Sequence, residues 1–135
     1  MKDIILNDKL VFSVPDFYES RYDNNGILEI FYPKGKYAII KFIIVDSTDG
    51  IEQKELYKNI SQKEYLKKIN ENKYYNVYSH KFKINNDILY VTSFEIVFNN
   101  YYINIRVNTM DEIIGEDKIN LIEHIHNIIL TIKEL

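Results

Sequence analysis

The stretch ILYVTSFEIVFNNYYINIRVNT, residues 88–109, decides the fold. Its two halves, Ile88–Phe98 and Tyr101–Thr109, are rich in β-branched and aromatic residues, which suit a pleated layer. Asn99-Asn100 separates them, and asparagine tolerates the left-handed geometry of a tight turn. Successive side chains of a strand point to opposite faces. One face therefore reads Tyr90, Phe94, Ile96, Ile103, Ile105 and Val107, a core. The other carries Ser93, Glu95, Asn104, Arg106 and Asn108. A two-residue turn sets Phe98 opposite Tyr101, Glu95 opposite Asn104 and Ser93 opposite Arg106. Slipping the pairing by one residue would reverse the faces and bury Glu95 and Arg106, so the cost of burying charge supports this register.

Working outward, Tyr74–Ile84 reads as the preceding strand. A turn at Asn86-Asp87 would place His80 beside Ser93 and Tyr78 beside Glu95. The hydrophilic face then comprises Tyr78, His80, Ser93, Glu95, Asn104, Arg106 and Asn108. Toward the N-terminus, Ile4–Leu6 and Leu10–Val14 flank Asn7-Asp8-Lys9 as a hairpin, with Leu10, Phe12 and Val14 on one side. Arg21–Asp23 and Ile27–Tyr32 flank Asn24-Asn25-Gly26, where glycine can supply a positive φ. After a turn at 33–36, Tyr37–Val45 is apolar on both faces except for Lys41, as expected of a central strand.

Two segments change period. Glu52–Asn72 has helical character, with Leu56, Ile60, Leu66 and Ile69 as its apolar positions, and Ser61 with Glu64 forms a capping box. After Gly115 comes a C-terminal helix. Glu116 and Asp117 occupy its first turn, and Leu121, Ile122, Ile125, Ile128, Ile129 and Ile132 form its apolar stripe; Lys133 suits the opposite pole of the dipole. The sum is an α+β chain: an antiparallel sheet of six or seven strands layered with a mid-chain helix and a C-terminal helix.

This order resembles the PsbP-like fold family, which includes the photosystem PsbP proteins, a Ran-binding nuclear import factor and small bacterial proteins. The resemblance rests on Phe12-Ser13-Val14-Pro15-Asp16-Phe17 and on the succession of strands, helix, strand meander and helix. Where the family commonly carries tryptophan after such a proline, Phe17 or Tyr18 stands here. The resemblance implies a protein-binding, non-enzymatic role, with bacterial members similar to chaperones or adaptors of secreted effectors. It supplies no catalytic residue to carry over.

Composition narrows the chemistry. The chain has 135 residues, the size of one domain, and 46% are hydrophobic, enough for a core that needs no metal or disulfide staple. The absence of cysteine excludes a thiol nucleophile, a Cys-based zinc site and an internal disulfide. The net charge is −3 with acids and bases interleaved, and the Lys63–Lys73 run also holds Glu64 and Glu71. A nucleic-acid partner, which calls for a basic stripe, is not expected. No apolar run approaches the ~18 residues of a spanning helix, so a cytoplasmic protein without membrane insertion is expected.

Candidate sites are few. His80, Glu95 and Ser93 have the residue types of base, orienter and nucleophile, but no strained nucleophile turn accompanies Ser93. His124 and His126 stand about 200° apart around a helix, so they cannot share a metal. Asp46, Asp49, Asp111 and Glu112 lack the pattern of a calcium loop, and the four glycines form no phosphate-binding loop. No cofactor is expected. The leading expectation is a protein-binding module, such as an immunity protein facing a toxin or a chaperone for a secreted effector. Its contacts would centre on the seven residues above. The alternative is a small-molecule-binding protein or small enzyme with a pocket on that face, and a homodimer is compatible with either. Twelve tyrosines suit interfaces, and they suit strands equally.

Overall fold

In the computed structural model, residues 1–32, 39–45 and 67–135 are described, the side chains of Ile44 and Val45 excepted. The turn expected at 33–36 and most of the mid-chain helix fall outside them.

The long meander forms as the alternation predicts. Strands β7 (Lys73–Ile84), β8 (Asp87–Phe98) and β9 (Tyr101–Thr109) pair antiparallel, with Phe98 opposite Tyr101, Glu95 opposite Asn104 and Ser93 opposite Arg106. Asn85 and Asn99 adopt φ values of 55° and 52°, the left-handed geometry their short side chains permit. One junction differs from expectation. The β7–β8 turn is Asn85-Asn86, one residue earlier, so Tyr78 faces Ser93, His80 faces Val91 and Asn76 faces Glu95. This moves the pairing by two residues, which leaves every side chain on its expected face.

Strand β9 continues into β5 (Ile39–Val45), then β4 (Leu28–Phe31) and β3 (Glu19–Tyr22). Gly26 turns β3 into β4 with φ 77°, and the Asp23 carboxylate accepts from the backbone N–H of Asn25 and Ile27. At the opposite edge lies β6 (Lys67–Asn70), paired with β7. The helix expected over Glu52–Asn72 is therefore corrected at its C-terminal end: Lys67–Asn70 is extended. The sheet order is β3-β4-β5-β9-β8-β7-β6, all antiparallel.

The N-terminal hairpin, β1 (Lys2–Leu6) and β2 (Leu10–Val14), leaves this sheet and makes a three-stranded one with β10 (Lys133–Glu134). Lys133 thus lies in a strand and not in the last turn of the helix, as was expected. The single helix among the described residues, α1 (Gly115–Leu130), and the small sheet both cover the apolar face of the large sheet. Leu121, Ile125, Ile128 and Ile129 of the helix, Leu6, Leu10, Phe12 and Val14 of the hairpin, and Phe94, Ile96, Ile103 and Ile105 of the large sheet form one buried cluster. Ile132 lies past the helix yet joins that cluster, whereas Tyr90 is only half-buried. Phe12 and Phe42 stack with centroids 4.4 Å apart, joining the two sheets. Of the two aromatics after Pro15, Tyr18 is buried and Phe17 is half-exposed.

Tyrosine–histidine pairs pin the helix to the strands. Tyr18 Oη lies 2.8 Å from His124 Nε2, and Tyr75 Oη lies 2.6 Å from His126 Nδ1, so the two rings serve different neighbours. Burial pushes the Tyr75 phenol up to about 12. Burial likewise holds both imidazoles below the usual histidine range; Lys67 adds to the effect at His126 and Glu123 opposes it. An unfolded histidine titrates near ~6.5, so below that pH the unfolded chain binds more protons than the folded one. The stabilisation is complete above the unfolded value and is lost as pH falls through the folded values. The thermal midpoint should drop by a few degrees between neutral and mildly acidic pH. The drop should shrink in a His124→Gln/His126→Gln variant, and an unchanged pH profile in that variant would refute this origin.

Candidate functional site

The face of the large sheet opposite α1 carries the hydrophilic side chains. Strand pairing lines up one row across six strands: Arg21, Glu29, Lys41, Arg106, Ser93 and Tyr78. Three cations and one carboxylate share this row. Glu29 is buried, and Arg21 Nη2 donates to its Oε2 at 3.4 Å. The Arg21 guanidinium also lies 4.6 Å from the centre of the Phe31 ring. Arg106 is exposed, and its Nε donates to Asn104 Oδ1 at 2.8 Å.

The seven expected site residues share this face, but not equally. Arg106 and Asn108 are exposed, Tyr78, His80 and Glu95 are half-buried, and Ser93 and Asn104 are buried. Ser93 and Asn104 are thus covered although they stand on the hydrophilic face, because the covering of a face depends on chain packed from elsewhere. Glu95 and Arg106, diagonal neighbours on this face, form no ion pair among the described residues. Glu95 instead accepts from the Tyr102 hydroxyl and, at 3.5 Å, from Asn76 Nδ2. Burial, helped by the Glu95 carboxylate, drives the Tyr102 phenol far above its ordinary range. Asn76 Oδ1 is buried without a hydrogen-bond partner. Tyr74 and Val97, with Tyr102 against them, form a small second apolar cluster here.

The His80–Ser93 contact forms at 3.2 Å, and the His80 imidazole is held below its usual range by burial and by Arg106. Glu95 does not reach that imidazole, and Ser93 is fully buried, so the three residues are not arranged as a nucleophilic relay. Among the described residues no three His, Asp or Glu side chains gather to hold a metal, and no helix is long and apolar enough to cross a membrane.

Along β7 the same face continues as an aromatic ladder. Tyr78 stacks on His80 with centroids 5.2 Å apart, and His80 meets the edge of Phe82 at 4.8 Å. Beyond it, among the described residues, the β7–β8 ribbon outruns its neighbours: β9 pairs with β8 only as far as Tyr90, and β6 pairs with β7 only as far as Tyr75. On this extension Phe82, Ile84 and Ile88 are 50%, 52% and 40% exposed. Sequence reading missed this feature. The signal was present in the unequal strand lengths, since Tyr101–Thr109 is too short to accompany all of Asp87–Phe98.

Comparison with solved structures places the fold. The chain shares it with a protein from Bacteroides thetaiotaomicron VPI-5482, with a TM-score of 0.61 and 13% identity over 93% of this chain. The match spans 45% of that protein's length. The chain is also similar to cyanobacterial PsbP (CyanoP) from Synechocystis sp. PCC 6803, at a TM-score of 0.43 and 10% identity over 95% of this chain and 88% of that one. No protein-family model and no curated protein sequence matches the chain.

Proposed function

We propose that the chain is a protein-binding module whose docking surface runs from Arg106 and Asn108 over Tyr78 and His80 onto Phe82 and Ile84. The observation that carries this reading is the overhanging β7–β8 ribbon, with large apolar side chains exposed and continuous with a hydrophilic face. Exposed apolar side chains gathered in one place, rimmed by polar groups, favour a partner surface. Aromatic and arginine side chains supply most of the affinity at such surfaces. Three cations against one carboxylate in the central row favour a partner that brings carboxylates, which would orient it on docking. The PsbP-like resemblance supports a partner of the toxin or secreted-effector kind, with this chain as immunity protein or chaperone, acting without catalysis in the cytoplasm.

Affinity capture with the native chain, run beside Phe82→Ser/Ile84→Ser and Arg106→Ala, tests the proposal. The native chain should retain a stoichiometric partner. Each variant should keep the native circular dichroism spectrum yet weaken the complex, the double variant by about 30-fold, the loss of one interface hot spot. Finding no stoichiometric partner, or one held equally by all three baits, would overturn the reading. A partner that proves to be a second copy of this chain would replace the toxin or effector in it.

A further inference from the structure

On the other side of the same ribbon, a cavity of about 250 Å³ opens between β7–β8 and the start of α1. Ser79, His80, Lys81, Tyr90, Val91 and Thr92 line it from the strands, and Glu112, Ile113, Ile114 and Lys118 line it from the loop and first turns of the helix. Four features converge there. Thr92 is 6% exposed, and its hydroxyl has no hydrogen-bond partner among the described residues. Lys81 and Lys118 both face the cavity, Lys118 half-buried, and neither forms an ion pair among the described residues. Ile114 precedes the helix without a side-chain cap, so the first backbone N–H groups of α1 keep their capacity to donate. Finally, Ile113 and Ile114 give the cavity an apolar wall.

The Thr92 hydroxyl is free to serve a ligand in the cavity, and a half-buried lysine ordinarily finds an anion. Two ammonium groups, the Ser79, Tyr90 and Thr92 hydroxyls and an uncapped helix start all favour negative charge. Glu112, Glu116 and Asp117 oppose it, and all three are exposed, where solvent screens them. We propose that this cavity binds a small organic carboxylate. The carboxylate sits between Lys81 and Lys118 with Thr92 as a donor, and its short apolar body lies on Ile113 and Ile114. Lys81 and Thr92 stand on the side of the ribbon opposite the protein-docking face, and His80 is the residue that the two sites share.

Titration of the full ¹⁵N-labelled chain with isobutyrate, its neutral isostere isobutyramide, and inorganic phosphate tests this. Isobutyrate should produce saturable amide shifts at Thr92, Gly115 and Lys118, and isobutyramide should produce none. Lys118→Met and Thr92→Val, each checked for a native spectrum, should weaken isobutyrate binding by about tenfold, as expected for loss of one charge-assisted contact. The proposal fails if isobutyrate gives no saturable shifts, if the amide binds as well, if phosphate binds more tightly than isobutyrate, or if both variants bind unchanged.

Discussion

Replacing Phe12 with alanine should lower the unfolding free energy by about 4 kcal/mol, the cost of deleting a large aromatic from a packed core. Phe12 is 1% exposed and stacks on Phe42 at 4.4 Å with 11° between the ring planes. One ring belongs to the small sheet and the other to the large sheet, so the pair carries much of the contact between layers. The cavity left behind is lined by strands on both sides and has little freedom to collapse. Phe12→Leu keeps most of the volume and should cost only about 1–1.5 kcal/mol. Urea unfolding followed by circular dichroism would check both. A loss under about 1 kcal/mol for the alanine variant would mean that the hairpin is not cooperatively joined to the rest.

Lys73→Met should cost about 3 kcal/mol, a large effect for removing one lysine. Lys73 is 5% exposed, and its Nζ donates to the carbonyl oxygens of Ile129 at 3.2 Å and Leu130 at 3.3 Å and to that of Ile132. It also lies 4.8 Å from the centre of the Phe98 ring. The last carbonyls of a helix have no partner within it, and a cation at that end complements the dipole. Burial pushes the Lys73 ammonium below its usual range, yet three acceptors hold the charge in place. Methionine preserves the packing of the stem while leaving the carbonyls unpaired. Lys68→Met, on an exposed position of β6, should change stability by less than about 0.5 kcal/mol. Equal effects of the two substitutions in thermal melts would contradict the capping role.

These two residues show how far the sequence could be read. Phe12 was visible as a core position because Leu10, Phe12 and Val14 share the two-residue period, but its partner Phe42 was not, since pairing between sheets leaves no local trace. Lys73 stands in a run of interleaved lysines and acids that carries no local sign of burial, and by sequence position Lys133 suits the pole of the helix that Lys73 occupies. The C-terminal cation comes from a strand 56 residues away from Ile129, a distance no local pattern spans. The end of the mid-chain segment differs from expectation for a related reason: Lys67–Asn70 has no alternation of its own and becomes extended by pairing with β7. At the candidate site the seven expected residues do share a face, whereas the burial of Ser93 and Asn104 and the partners of Glu95 and Arg106 were not legible.

By itself, the order of residues determined the α+β class, the strands of the meander, the turn at Asn99-Asn100 and the side of the pleat on which each residue of 88–109 stands. All of these follow from backbone chirality and the period of two, which act between neighbours in the chain. Only the tertiary structure decided that the hairpin leaves the main sheet, that Lys73 closes the helix, and that the β7–β8 ribbon overhangs with Phe82 and Ile84 in solvent. Those outcomes depend on which distant segments compete for the same surface and hydrogen-bonding groups, a contest that is resolved when the layers pack.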